Sequence, residues 1–365
     1  MNVEETPMYP LRLAALAAVA VATVTAVPSH ASQPGVLRCT SSSAKAFATD
    51  FRAGGQTAKA LVSLPKGTPK GVVVFDHGYS HTMHSWAKHM ERTTRQLGVI
   101  TITPNYRGQK DDLKAKPLPS SRGWRVAEGA VDTNAAATLY DRNCLRGKGH
   151  NVLYSVSMGG NTAGLALAAK PKRTGGAPLW DEWVDVEGAA NVLETYQGAR
   201  VLAPVNGFAA NAKADIEAAM GGTPEQVPQV YAERTIVNRV DDIKASGVKG
   251  VVIVHGVLDG LVTHDISRQL QARLLAAGVP VDLTAFVSRS AASEPGTTLD
   301  GYLPTGQTSP FAGHASEASV THDVGQAGFA ALTALYKGTL VGCAERWRDG
   351  TTGLARDLTF PCPGA

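Results

Sequence analysis

The stretch from Asn151 to Leu167 constrains this chain most. Asn151-Val152-Leu153-Tyr154 reads as a short buried strand and Asn161 to Leu167 as a helix rich in small residues. Tyr154-Ser155-Val156-Ser157-Met158-Gly159-Gly160 joins the two. A strand that enters a helix through so short a corner turns sharply, and only small side chains let the two backbones approach that closely. Ser155 and Gly159, two positions either side of Ser157, meet that demand. Such a corner pushes the Ser157 hydroxyl out at the carboxyl edge of a parallel sheet and turns the N–H of Met158 towards a reacting oxygen. An idle Gly/Ser turn would need the same small residues. The flanking strand and helix favour a nucleophile.

The surrounding pattern supplies the sheet. Ala44 to Phe51 and Ala58 to Leu64 read as antiparallel edge strands joined through Gly54-Gly55. Apolar strand runs follow at 71–75, 99–104, 183–186, 250–255 and 281–287, with helical spacing at 85–97, 126–140, 264–277 and 327–336. Continuous β-branched runs between helices imply strands covered on both faces, hence a mostly parallel sheet flanked by helices. From about 190 to 248 the rhythm changes to helical segments at 192–196, 213–220 and 230–240. This reads as a helical insertion over the active-site edge of the sheet. No linker or internal repeat interrupts the body, so residues 32–365 read as a single domain. At 44% apolar and 18% charged, 365 residues can bury a large core. The formal charge of +4 is spread without a basic block, which argues against a nucleic-acid partner.

Residues 1–31 read as a signal peptide: Arg12 precedes the apolar run Leu13 to Val27, and Ser29-His30-Ala31 offers a small-residue cleavage site. No other stretch is long and apolar enough to span a bilayer, so no stable membrane insertion is expected after cleavage. Cys39, Cys144, Cys343 and Cys362 are even in number and contain no Cys-x-x-Cys pair. In an exported chain they read as two disulfides, with Cys343–Cys362 and Cys39–Cys144 preferred among three connectivities.

A serine hydroxyl is a poor nucleophile at neutral pH, so Ser157 needs a base and the base an orienting acid. Asp259 lies in His255-Gly256-Val257-Leu258-Asp259-Gly260, just past the carboxyl end of an apolar strand and so on the same edge as Ser157. Asp265, at a helix start, reads as an N-cap instead. Downstream only His264, His314 and His322 remain. His264 is too close to the acid. His314, in Phe311-Ala312-Gly313-His314, is preferred as the base, with His322 the alternative. For the oxyanion, Asp76-His77-Gly78-Tyr79 follows a strand directly, and Tyr79 joins Met158 as the second backbone donor. His77, His81 and His84 lack the carboxylate helix or cysteine pair that would support a metal reading. Neither a metal nor another cofactor is called for.

On His77-Gly78-Tyr79, Ser157-Met158-Gly159-Gly160, Asp259 and His314, the chain resembles a secreted bacterial serine hydrolase of the α/β-hydrolase superfamily. The resemblance covers roughly residues 58 to 340. The pairing of Tyr79 with Met158 is similar to cutinase-like polyester hydrolases. Asn105-Tyr106-Arg107-Gly108 and the Asp259 region resemble the catalytic domain of prolyl-oligopeptidase-type enzymes. The resemblance implies an α/β-hydrolase fold and hydrolysis of a carboxylic ester, whether small-molecule, lipid or polyester, through an acyl-enzyme. A serine peptidase or acyltransferase on the same triad is the alternative within enzymes. An inactive exported binding protein keeping the fold is the alternative outside them.

Overall fold

Val72-Val73-Val74-Phe75, Val152-Leu153-Tyr154 and Val251-Val252-Ile253-Val254 show no polar alternation, and a strand of that kind is stable only with both faces covered. The computed structural model describes residues 37–109, 122–287, 314, 322–349 and 352–362. Residues 1–31, read above as a signal peptide, and the segment 288–313 therefore lie outside the described residues. The strands are β1 (Phe47–Ala53), β2 (Gln56–Ser63), β3 (Gly71–Asp76), β4 (Ile100–Asn105), β5 (His150–Val156), β6 (Glu182–Val186), β7 (Gly250–Gly256), β8 (Val281–Phe286), β9 (Ala344–Arg348) and β10 (Ala355–Thr359). They form one sheet in the order β1-β2-β4-β3-β5-β6-β7-β8-β9-β10. From β4 to β9 every neighbouring pair is parallel. The two ends are antiparallel.

The helices are α1 (Ala87–Leu97), α2 (Val126–Tyr140), α3 (Met158–Ala168), α4 (Val192–Leu202), α5 (Gly207–Met220), α6 (Pro228–Arg234), α7 (Val240–Ser246), α8 (His264–Ala277) and α9 (Asp323–Tyr336). α2, α3, α7 and α8 pack side by side on one face of the sheet. α1 and α9 cover the other, where the His89 and Phe329 rings stack at 4.5 Å. Under those two helices Phe75, Trp86, Tyr154 and Phe329 form an aromatic cluster with centroids about 5 to 6 Å apart. Rings in such tilted and edge-on contact add to the area they bury, and they fix the strands that end at the site.

Three expectations need correction. The run at 230–240 is not one helix: α6 stops at Arg234, Thr235 is extended, and a single 3-10 turn at Ile236–Asn238 precedes α7. The cause is tertiary. The N–H of Ile236 donates to the Ala190 carbonyl at 2.7 Å, and its side chain fills the space that Gly164 leaves open on α3. α7 itself packs between α3 and α8 as part of the helical layer, whereas α4 packs against α5 and α6. The N-cap of α8 is Thr263, with Asp265 in the first turn. The structure also adds a hairpin unforeseen in the tail, β9–β10, whose pairing with β8 extends the sheet. Cys343 is bonded to Cys362 across that hairpin, and Cys39 to Cys144. Two disulfides fit an oxidising environment. No helix among the described residues is long and apolar enough to cross a membrane.

Candidate active site

Ser157 sits at the corner between β5 and α3 with φ 56° and ψ −124°. A positive φ at a non-glycine residue costs about 1 kcal/mol or more. Both ends of the residue are pinned. Its N–H donates to Val186 (3.1 Å), and its carbonyl accepts from Gly160 (2.8 Å) and Ala189 (2.9 Å). The glycines explain themselves. A Cβ on Gly159 would lie 2.2 Å from the Asp76 carbonyl oxygen, and one on Gly160 would lie 2.5 Å from both Asp185 Oδ1 and the Cα of Gly188. Ser155, where glycine would be expected, is accommodated because its buried hydroxyl donates to Asp185 Oδ1 and accepts from Trp183 Nε1, each at 2.8 Å.

Asp259 lies in the turn after β7. Its Oδ1 accepts from the N–H groups of Leu261 (2.8 Å) and Val262 (3.0 Å). Its Oδ2 is 2.6 Å from His314 Nδ1. Burial opposes ionisation of this carboxyl, but the charge of His314 and the hydrogen bonds from His255 and His314 hold it well below the usual carboxylate range. An ionised Asp259 fixes the proton of His314 on Nδ1 and leaves the basic lone pair on Nε2. His314 and Ser157 line the same cavity. His322 is elsewhere: it caps α9, its Nδ1 accepting from the Val324 N–H at 3.3 Å.

Gly78 and Tyr79 line that cavity too. The turn is held from beneath. Burial pushes the His77 imidazole down to about 3, so it is neutral, its Nδ1 donates to the Gly78 carbonyl at 3.1 Å, and its ring stacks on Tyr106 at 4.0 Å. Tyr106 donates to the His77 carbonyl at 3.1 Å. Thr133 donates to Asp76 at 2.6 Å. Met158 is the first residue of α3, so its N–H has no acceptor inside the helix. Tyr79 lines the cavity that Ser157 borders, and Met158 follows Ser157 directly in the chain. His77 is committed to its turn, and His81 Nδ1 lies 3.0 Å from Ser85 Oγ.

The cavity, about 120 Å³, is roofed by α4 and α5 through Ala199, Leu202, Phe208 and Ala212, and walled by Trp124, Val262 and Ile266. Tyr79 ties roof to floor. Its hydroxyl donates to Asp215 of α5 at 2.6 Å, and its ring meets Phe208 edge-on at 5.3 Å. The sequence reading missed this latch, as well as Glu187 after β6 and His255 on β7, both buried beside Asp259 and His314. Glu187 follows an apolar strand directly, and that position was its only signal. Nothing local marks Asp215.

Compared with protein-family models and with curated proteins, the sequence finds no match. Solved structures do match. A Mycobacterium tuberculosis puromycin-hydrolyzing peptidase superposes with a TM-score of 0.53 at 17% identity, covering 81% of this chain and 40% of its own. A puromycin hydrolase gives 0.54 at 16%, with the same coverage. A mutant of the esterase rPPE gives 0.51 at 14%, covering 82% of this chain and 84% of its own. The chain thus spans about 40% of the length of the first two. At such identities the likeness is one of architecture. Strand order, crossover layers and these superpositions together give the chain the α/β-hydrolase fold.

Proposed function

We propose that this chain is a secreted serine hydrolase that cleaves carboxylic esters through Ser157, His314 and Asp259. The observation that carries the reading is the 2.6 Å contact between Asp259 and His314 Nδ1, in a cavity that also holds a serine at a positive-φ corner. Ser157 and His314 border one cavity and Asp259 contacts His314, an arrangement that supports a relay among the three. The Ser157 hydroxyl attacks the ester carbonyl while His314 Nε2 takes its proton, and Asp259 stabilises the imidazolium that results. The N–H groups of Tyr79 and Met158 receive the oxyanion, a contribution of roughly 3–4 kcal/mol per donor in sites of this kind. The imidazolium returns its proton to the departing alkoxide, leaving an acyl-serine. A water activated by the same imidazole then releases the acid.

The ester assignment is supported by the apolar roof, which suits an acyl chain better than a charged or hydrated group. Export rests on the leader-like sequence at 1–31 and fits the two disulfides. The test is labelling by a fluorophosphonate probe with peptide mapping, alongside turnover of short p-nitrophenyl esters. Wild-type protein is expected to label at Ser157, and Ser157→Ala to lose labelling and about 10³-fold or more in kcat. An unlabelled wild type would favour a binding protein. Faster turnover of peptide amides than of esters would favour the peptidase reading.

A further inference from the structure

The turn after β6 holds a carboxylate that the serine, histidine and aspartate do not account for. Glu187 is fully buried and has φ 52°, a conformation that is costly for a side chain of its size. Its N–H donates to the Val254 carbonyl at 2.9 Å, and its Oε1 accepts from the Gly256 N–H at 3.3 Å. Its Oε2 lies 3.7 Å from His314 Nδ1, the atom that Asp259 Oδ2 approaches at 2.6 Å. Two carboxylates from adjacent strand ends therefore face one imidazole nitrogen. The Gly256 contact alone does not explain this, because the amide oxygen of a glutamine would accept it without burying a charge.

A second imidazole also faces Asp259. His255 is fully buried on β7, with Nε2 2.9 Å from the Val262 carbonyl and 3.3 Å from Asp259 Oδ2. Both neighbours are acceptors, so Nε2 carries a proton. Its Nδ1 lies 2.7 Å from Ser267 Oγ, which can accept a second one. Burial works against a cation here, yet the hydrogen bond and charge of Asp259, together with Glu187, raise His255 above its ordinary value. His255 thus presents to Asp259 Oδ2 a second ring N–H beside that of His314.

We infer that Glu187 is a positioning residue of the proton relay, a second carboxylate that shares with Asp259 the charge developing on His314. This rests on the serine-hydrolase reading. Among the described residues, the groups bearing on His314 are Asp259 and His255 from β7 and its turn and Glu187 from the turn of β6, with Asp185 on β6, His264 on α8 and Glu194 on α4 further out. A nearby anion raises an imidazole's pKa, so removing it extends the neutral base to lower pH.

The test is the pH profile of kcat/KM on a p-nitrophenyl ester for wild type, Glu187→Gln and Glu187→Asp. Glu187→Gln is expected to move the acid limb down by about 0.5 to 1 pH unit and to lower plateau kcat about 3- to 10-fold with KM little changed. Glu187→Asp, which keeps the charge, should leave the limb near its wild-type position. Should the glutamine variant fail to fold, Asp259→Asn decides: a triad with a single acid loses about 10⁴-fold in kcat, and a relay with Glu187 in place loses at most about 10³-fold. An unmoved acid limb in Glu187→Gln, or the full 10⁴-fold loss in Asp259→Asn, overturns the inference while fluorophosphonate labelling of the wild type stands. Absence of that labelling removes both readings.

Discussion

At the scale of single residues, the site depends on which nitrogen of which histidine meets Asp259. His314→Ala is expected to lower kcat by about 10³- to 10⁴-fold, measured on a soluble ester with folding checked by circular dichroism. His322→Ala removes the capping acceptor of α9, so it should cost roughly 0.5–2 kcal/mol in a denaturation curve and leave kcat essentially unchanged. The corner is equally demanding. A methyl group on Gly160 would sit within 2.5 Å of Asp185 Oδ1 and of the Gly188 backbone. Gly160→Ala should therefore destabilise by about 1–3 kcal/mol and weaken fluorophosphonate labelling, because the strain passes directly into the turn that carries Ser157.

At the scale of elements, the roof and the tail behave differently. α5 is joined to the Gly78-Tyr79 turn by Asp215, which accepts from the Tyr79 hydroxyl at 2.6 Å and from the Gly123 N–H at 3.2 Å. Hydrogen bonds to a charged group contribute about 1.5–3 kcal/mol. Asp215→Ala is thus expected to lower kcat/KM by about 10-fold or more through loosening of Tyr79, read from steady-state kinetics. The β9–β10 hairpin lies at the far edge of the sheet, and none of its described residues lines the cavity. Replacing Cys343 and Cys362 by serine opens a loop with a separation of 19 residues, which should cost about 3 kcal/mol in a denaturation midpoint while turnover stays at the wild-type level. Most elements were legible in the sequence because β-branched runs and helical spacing are local signals. The break at Thr235 and the tail hairpin were not, since both exist through contacts with Ala190, Gly164 and β8.

At the scale of the whole molecule, buried carboxylates set the response to pH. Burial pushes Asp185 up to about 7, against a lowering hydrogen bond from Ser155 and the charge of His255. Between about pH 4 and 7 the unfolded chain releases this proton and the folded one keeps it. Stability from this group is therefore complete below pH 4, declines as pH rises to 7 and levels off above. Asp259 acts in the opposite sense: its depressed pKa contributes stability above pH 4 that is lost as the pH falls. Urea denaturation of wild type and Asp185→Asn at pH 5 and pH 8 separates the two. The wild type should lose on the order of a few kcal/mol relative to the variant across that interval.

The sequence by itself determined the strand-to-helix corner at Ser157, the parallel sheet and the acid after β7, because each is written in contiguous residues whose spacing or size has one physical reading. Which histidine meets Asp259 was not contained there. His314 and His322 are both loop histidines before the last helix, and only the folded chain places one against Asp259 and the other over α9. The same holds for Glu187, His255 and the Asp215 latch. Their meaning is electrostatic and steric and arises between strand ends and helices that lie dozens of residues apart in the chain. Local patterns fix which elements form; distances across the sheet edge decide what those elements do together.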